Sequence, residues 1–263
     1  MDGKQRVWLG GNLGTLLRSD DGAASFAIAA KLPSGVKGLW FSDDGRMVAC
    51  AGGVISSSED EGATWTKTSA RGGNNDHIRH ARGALVATNI GRKVLRSTDG
   101  GRKWTTHPTG SKKHLYSIDA DDRGTIAAGS EGSVVISRNS GASFTITKLD
   151  HREYLRVTRI LPSGDVLVLG DDGKGHLVDS RGLVKPCELP AGLSVFDVCA
   201  RGDELIAVGN IEHSTAARSF DGGLTWKGEA VAGRGGLKVV TALDDGTIVA
   251  AGSLGLVFVE RPA

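Results

Sequence analysis

The chain has little of what marks several common protein classes. Among its 263 residues, 6 are proline, 3 are cysteine and 5% are aromatic. No apolar run approaches the length of about 18 residues that a membrane helix needs. Lys plus Arg (32) and Asp plus Glu (30) nearly balance, so net charge alone predicts neither nucleic-acid nor membrane binding. The odd number of cysteines (Cys50, Cys187, Cys199) favours buried free thiols over a disulfide framework.

Glycine, in contrast, is abundant. The chain has 39 glycines, about twice the ordinary share of ~7%. With 24% charged residues and so few prolines, this composition excludes disorder and collagen and favours a turn-rich globular protein.

An eight-residue motif, which we call the box, repeats along the chain. Its complete copies read SEDEGATW from Ser58, STDGGRKW from Ser97 and SFDGGLTW from Ser219. Weaker copies begin at Ser19 and Ser137, and a decayed copy, which keeps only a serine and Gly182, begins at Val178. The copies are 39 to 41 residues apart, a period typical of repeat architectures.

Each repeat has the composition of four short strands. A tight Asp/Gly turn is followed by a small-residue run, a glycine and a second apolar run that leads into the box. Four strands per about 40 residues predict an all-β propeller of four-stranded antiparallel blades, with the box turns between the third and fourth strands. The chain is expected to form one domain, residues 1–263.

The number of blades follows from counting strands by type. The second and third strands occur seven times and the first and fourth six times, because the chain opens on a second strand (residues 6–10) and ends on a third (residues 254–260). Seven blades, two of them three-stranded, is the preferred interpretation. Six blades with a surplus hairpin is the alternative.

The box is expected to be structural. Its Ser and Asp oxygens are suited to accept hydrogen bonds from the turn's own amides, the glycine at the fifth position suits a left-handed backbone, and the closing Trp or Phe packs over the hairpin. The residues assigned this structural role share the third box position: Asp21, Asp60, Asp99, Asn139 and Asp221.

These boxes resemble the bacterial neuraminidase repeat, or Asp-box (BNR repeat), S-x-D-x-G-x-T-W. Residues 14–22 (GTLLRSDDG) and 94–101 (VLRSTDGG) are similar to the photosystem II stability and assembly factor family of propellers. The resemblance covers nearly the whole chain and implies a sialidase-like, WD40/YVTN/BNR-like propeller fold. It does not specify an activity, since sialidases, xyloglucanases and sortilin-like receptors also carry such boxes.

No catalytic, cofactor or metal site is predicted. The resemblance to sialidases would imply a Tyr–Glu nucleophile pair, an acid/base Asp, three carboxylate-gripping arginines and an Arg-Ile-Pro motif, which is absent. Two carboxylates at a defined separation would serve a glycosidase, but Asp119 and Asp197, on first strands of their repeats, are expected to bond to turns. The histidines lack metal-ligand spacing. An enzyme is therefore not the preferred interpretation.

A binding face is expected opposite the boxes. The loops there span residues 70–77, 111–114, 150–154 and 231–234, with Arg92, Lys93, Lys174 and His213 on shorter crossings, and basic residues outnumber acidic ones. Because equivalent positions of neighbouring repeats should be adjacent, two basic clusters are expected to form the centre of this face; a solvated loop rim is the alternative. The candidate residues are Arg79, Lys112, Lys113, His114, Tyr116, Arg152, Tyr154 and Arg156.

Three classes of function remain open. The preferred one is a non-catalytic interaction or scaffold propeller that binds a protein partner, as an assembly factor or as a structural component, for example of a phage particle. The alternatives are a lectin-like module for acidic glycans or other anions and a diverged sialidase-like glycosidase. Because the N-terminal residues lack an apolar stretch of signal-peptide length, a cytoplasmic location is expected, or the virion if a phage encodes the chain.

Overall fold

A computed structural model of the chain describes residues 6–68, 77–89, 92–150, 152, 154–211, 214–231, 236–255 and 257–262. The chain divides into two compact units, residues 1–128 with 135–146 (unit 1) and residues 129–134 with 147–263 (unit 2). That the whole chain forms a single domain stays a prediction.

The described residues of unit 1 contain three complete sheets. Blade 1 consists of β1 (Val7–Gly10), β2 (Thr15–Ser19) and β3 (Ala27–Lys31). Blade 2 consists of β4 (Val36–Phe41), β5 (Met47–Ala51), β6 (Val54–Ser58) and β7 (Thr66–Lys67). Blade 3 consists of β8 (Ile78–Ala81), β9 (Ala84–Asn89), β10 (Lys93–Ser97) and β11 (Thr105–Pro108).

Blade 4, whose residues are divided between the units, consists of β12 (Leu115–Ala120), β13 (Ile126–Ser130), β14 (Ser133–Ser137) and β15 (Thr145–Lys148). Blade 5 consists of β16 (Leu155–Ile160), β17 (Val166–Gly170), β18 (Gly175–Val178) and β19 (Val184–Pro186). Blade 6 consists of β20 (Ser194–Arg201), β21 (Glu204–Asn210), β22 (Ser214–Ser219) and β23 (Lys227–Ala230). Blade 7 consists of β24 (Leu237–Ala242), β25 (Ile248–Gly252) and β26 (Val257–Glu260), with the short 3-10 helix Ser253–Gly255 before β26.

The fold is therefore a seven-bladed β-propeller, as predicted from the repeat. Within each blade, strands that follow one another in sequence are neighbours in the sheet. Within the described residues, the two three-stranded blades are the first, which has no first strand there, and the seventh, which has no fourth. The alternative of six blades with a surplus hairpin is wrong, because β1 and β2 form a sheet with β3.

The hydrophobic core lies between neighbouring blades. In unit 1, Val48 and Cys50 of β5 pack with Leu85 and Ala87 of β9, so blades 2 and 3 share one cluster. In unit 2, a cluster that includes Leu167 and Trp226 joins blades 5 and 6. Alternating strands would bury one face only, but β5, β13 and β17 are buried at every position because blades cover both faces.

The box turns are held by a constant set of hydrogen bonds. In the box of blade 2, the Ser58 hydroxyl donates to Asp60 Oδ1 (2.7 Å) and accepts from the Gly62 amide (2.8 Å). The Thr64 amide donates to the same Asp60 Oδ1 at 2.8 Å. Each box serine is only 1% exposed; these serines are Ser19, Ser58, Ser97, Ser137 and Ser219. These are the hydrogen bonds expected of the box oxygens; that the boxes are structural stays a prediction.

Equivalent bonds recur in the other four turns. The third-position side chains of these boxes, which are Asp21, Asp99, Asn139 and Asp221, each accept from the serine hydroxyl at 2.7–2.9 Å. The fifth residue is left-handed in all of them, and in the box of blade 1 it is Ala23 (φ 69°) and not the expected glycine. Three closing tryptophans also donate an indole N–H to a carbonyl of their own turn: Trp65 to Gly62, Trp104 to Gly101 and Trp226 to Gly223.

The decayed copy in blade 5 keeps a turn by another device. Asp179 Oδ1 accepts from the amides of Arg181 (2.8 Å) and Leu183 (2.9 Å), and Gly182 is left-handed with φ of 85°. The serine hydroxyl at the first position of the other boxes is thus replaced by a carboxylate at the second position, one residue later in the turn. Sequence comparison with the intact boxes did not identify this residue because its position in the box differs.

Candidate functional site

The first strands carry bulges at the same place in several blades. β4, β16, β20 and β24 each pair with the next strand, and in each pair the register shifts directly after a buried residue near the start of the first strand. These buried residues are Val36, Leu155, Val195 and Leu237. A β-bulge places two residues of one strand opposite a single residue of the next strand, and it redirects the side chain of the inserted residue. These extra residues are Lys37, Arg156, Phe196 and Lys238.

Three of the bulge residues meet in unit 2. Lys238 Nζ lies 3.4 Å from the centroid of the Phe196 ring, and Arg156 Cζ lies 5.8 Å from the same centroid. Arg156 Cζ is also 5.6 Å from the Tyr154 ring, whose side chain is exposed (44%). We call Tyr154, Arg156, Phe196 and Lys238 the cation–aromatic cluster. Each contact is within the range of a cation–π interaction.

The charges of the cluster are unequal. Asp171 accepts two hydrogen bonds from Arg156, to Oδ1 at 2.7 Å and to Oδ2 at 2.9 Å, in the bidentate geometry typical of strong Arg–carboxylate pairs. Desolvation and the neighbouring Arg156 charge lower the pKa of Lys238. Two cations face one carboxylate, so the cluster as a whole favours a further anionic group.

A second network fixes the strands beneath the cluster. Arg159 Nη2 donates to Asp197 Oδ1 at 2.7 Å, and Arg159 Nε donates to the Val198 carbonyl at 2.9 Å. Asp197 Oδ2 accepts from the Val240 amide at 3.1 Å. The prediction that Asp197 bonds to turns is therefore wrong: this carboxylate, on β20, bonds to Arg159 of β16 and to the Val240 amide of β24.

The sequence-predicted residues of unit 2 are placed as follows. Tyr154 forms an isolated bridge with Glu131, and Arg156 lies on β16, as expected for residues that enter a first strand. Arg152 is exposed beside them. Arg156 is not available as an isolated cation, since Asp171 holds it.

The predicted residues of unit 1 form their own group. Arg79 Nη1 donates to the Ile78 carbonyl at 2.9 Å, and its Nε lies 3.4 Å from Asp119 Oδ1. The rings of His114 and Tyr116 are in edge contact with centroids 6.5 Å apart. Lys112 and Lys113 are exposed in the turn that Ser111 closes by accepting from the Lys113 amide and donating to its carbonyl. Because the two groups fall in different units, their adjacency stays a prediction.

Sequence analysis missed Phe196, Lys238 and Asp171. The signal for the first two was present: the repeat places them, with Arg79, Tyr116 and Arg156, directly after a buried residue that is the first or second residue of each first strand. The pattern of apolar residues alone does not show that β-bulges bring the side chains at this position together. Of the loops expected to form the face, residues 70–76, 151, 153 and 232–234, and His213, lie outside the described residues.

Other kinds of site receive no support within the described parts of the chain. There, no group of three or more His, Cys, Asp or Glu side chains is arranged to hold a metal ion. No helix in the same parts has the length and apolar character to cross a membrane. Cys50 and Cys187 are buried and Cys199 is partly buried, all as free thiols.

The comparisons with known proteins concern the fold. No protein-family model matches the chain, and no curated protein sequence does either. Among solved structures, one described as YCF48 bound to D1 peptide is 16% identical, with a TM-score of 0.77 over 97% of this chain and 88% of that one. YCF48 from Cyanidioschyzon merolae is 15% identical, with a TM-score of 0.78 over 98% and 92% of the two chains.

A third solved structure, the WD40 β-propeller domain of Doa1, is 12% identical, with a TM-score of 0.80 over 97% of this chain and 88% of that one. At these identities the likeness concerns the propeller fold. The chain is thus similar in fold to YCF48 and to a WD40 propeller.

Proposed function

We propose that the protein is a non-catalytic interaction propeller that binds an acidic segment of a protein partner at the cation–aromatic cluster of unit 2. The observation that carries the proposal is the convergence of three bulge residues, in which Lys238 lies 3.4 Å from the Phe196 ring centroid. A similar fold in a YCF48 structure described as bound to a D1 peptide supports a protein partner.

The chemistry of the cluster favours a carboxylate next to an apolar group. One face of the Lys238 ammonium contacts the Phe196 ring, and an ammonium carries three N–H donors, which suit a carboxylate of the ligand. Desolvation and repulsion from Arg156 lower the pKa of Lys238, and a bound carboxylate would offset both. Tyr154 and Phe196 supply apolar area for a neighbouring side chain, as aromatic anchors do in protein interfaces.

A peptide library with free carboxyl termini, selected on the wild-type protein, tests this proposal. We expect enrichment of peptides with Asp, Glu or the terminal carboxylate beside an apolar residue. Lys238→Ser and Phe196→Ala should each weaken the selected peptides by about tenfold or more, since charged hydrogen bonds and buried aromatic contacts are each worth more than about 1.4 kcal/mol.

Lys227→Ser is the matched control, because Lys227 is an exposed lysine on the outer strand β23 of the same unit. It should leave the affinity unchanged. Equal binding by the Phe196→Ala, Lys238→Ser and Lys227→Ser variants would exclude the cluster as the site. Enrichment of acidic glycans in place of peptides on an array would instead favour the lectin-like alternative.

Three finer inferences accompany this proposal. We infer that the repeated turns are Asp-boxes of the neuraminidase type, on the support of the shared hydrogen bonds of Ser58 and Asp60 and their equivalents. We also propose that Lys112, Lys113, His114 and Arg152 belong to the rim of the binding face, together with Arg79 and Tyr116. The cytoplasmic location stays a prediction.

A further inference from the structure

A small cleft on the box-bearing side of unit 1 has an unusual wall. It lies between blades 3 and 4 and has a volume of about 180 Å³. Its floor is formed by buried side chains, among them Ala84, Val86 and Ile126. Its polar wall consists of Arg82, Arg96 and Ser140, and no acidic residue lines it.

The arginines of this cleft have few partners. The Arg96 side chain is half-buried and makes no hydrogen bond or ion pair within the described residues; only its backbone carbonyl accepts, from Thr105. In the same part of the chain, the Arg82 guanidinium makes one long hydrogen bond, 3.5 Å, to the Arg123 carbonyl. A half-buried guanidinium without a counter-charge is costly unless water or a ligand satisfies it.

Blade 6 shows what the same repeat position does when it has partners. Arg218, directly before the box serine Ser219 as Arg96 is before Ser97, donates Nη1 to Glu204 Oε1 at 2.7 Å. It also donates Nε to Glu229 Oε1 at 2.9 Å and Nη2 to Glu260. Desolvation alone would lower the pKa of Arg218, but these hydrogen bonds raise it above its ordinary value.

The strand register identifies which carboxylate blade 3 lacks. Arg218 pairs with Ile206 on β21, two residues after Glu204, and Arg96 pairs with Val86 on β9, two residues after Ala84. Ala84 therefore occupies the position of Glu204 and lines the cleft at the place where a carboxylate would lie. In blade 1, Arg18 in the same position pairs with Asp20 at 3.0 Å.

We propose that this cleft is a receptor for a glutamate side chain of a protein partner, which takes the place that Glu204 occupies beside Arg218. The partner's carboxylate binds the Arg96 guanidinium, with Arg82 and Ser140 at its rim, while its methylene groups contact Ala84, Val86 and Ile126. Charge complementarity and the internal Glu204–Arg218 pair carry this proposal, which is independent of the cation–aromatic cluster.

Titration with a blocked glutamate, N-acetylglutamate N-methylamide, tests the proposal by NMR on the full chain. We expect the Arg96 Nε–Hε and Ala84 methyl signals to shift saturably, and blocked glutamine, the neutral isostere, to leave them unchanged. Arg96→Gln should weaken the shift at Ala84 by about tenfold or more. Lys103→Gln, at an exposed lysine of the same blade, is the matched control and should bind like wild type.

Ala84→Glu provides a test that does not depend on loss of charge. It should fill the cleft from within, so that the Arg96 signal lies at its bound position without ligand and no longer responds to blocked glutamate. The proposal is overturned if blocked glutamine shifts Arg96 as much as blocked glutamate does, if wild type shows no shift, or if Ala84→Glu still responds. Amide spectra verify the fold of each variant, and Arg96→Gln decides alone if Ala84→Glu does not fold.

Discussion

Replacing Asp221 by alanine tests whether the box turn is structural. Asp221 accepts hydrogen bonds from four donors: the Ser219 hydroxyl (2.8 Å), the amides of Leu224 (3.1 Å) and Thr225 (3.0 Å), and the Thr225 hydroxyl (2.6 Å). Since Asp221 is exposed, water replaces it on three of these donors. The Ser219 hydroxyl is 1% exposed and has no such substitute.

The expected cost is thus that of one buried hydroxyl without its acceptor, about 1–2 kcal/mol of unfolding free energy. For a chain of this size, each kcal/mol lowers Tm by about 2–4 °C, so we expect a decrease of roughly 2–8 °C. Thermal unfolding followed by circular dichroism measures it.

Asp221→Asn is the matched control, because blade 4 already carries an asparagine there. Asn139 Oδ1 accepts from the Ser137 hydroxyl at 2.9 Å, and Asn139 Nδ2 donates to the Ser143 hydroxyl at 2.8 Å. Asp221→Asn should therefore lower Tm by less than half as much as Asp221→Ala. An unchanged Tm for Asp221→Ala, or an equal loss for both variants, would refute the reasoning.

Three further outcomes are expected. Hydrogen bonds from the hydroxyls of Ser25, Thr64 and Thr225 lower the pKa values of Asp21, Asp60 and Asp221 to about 2. The stabilisation that these carboxylates provide should therefore be complete above the ordinary pKa of 3.8 and be lost as the pH falls towards 2. Urea unfolding across that range should show a shallower pH dependence of stability for Asp221→Asn than for wild type, and identical slopes would contradict this. Gly14→Ala should destabilise far more than Gly202→Ala, since both positions are left-handed but only at Gly14 would a Cβ lie 2.1 Å from a backbone oxygen; equal urea midpoints would contradict it. Burial raises the pKa values of Cys187 and Cys199 to about 12. Iodoacetamide at pH 8 should therefore label these thiols slowly in the native protein and rapidly in urea, whereas rapid labelling of the native protein would show that they are accessible.

The fold could be predicted from the sequence because each repeat contains the same local signals for strands and turns. Asp/Gly turns, buried small-residue runs and the box define four strands per unit, and the strand count also predicted that the terminal blades have three strands. The hydrogen bonds of the box also followed, since the serine and aspartate accept from amides within their own turn, as Ser58 and Asp60 do.

The candidate site followed only in part because it depends on contacts between repeats. Arg156 and Tyr154 were identified as basic and aromatic residues near a loop, but Asp171, which neutralises Arg156, comes from the end of another strand. Phe196 and Lys238 were assigned to strands, and only the bulge register brings them together. The cleft beside Arg96 could not be predicted either, because it arises where Ala84 takes the place of an acidic residue, and no sequence motif marks that position.

The central claim, that unit 2 binds an acidic peptide segment at the cation–aromatic cluster, is tested most directly by site-specific photocrosslinking. Phe196→p-benzoylphenylalanine places the reactive group inside the cluster, and Phe220→p-benzoylphenylalanine places it on an exposed box position (73%) of the same unit. With a peptide selected on the wild-type protein, we predict a crosslink from position 196 that an excess of unlabelled peptide removes, and none from position 220. A crosslink from position 220 alone would contradict the claim.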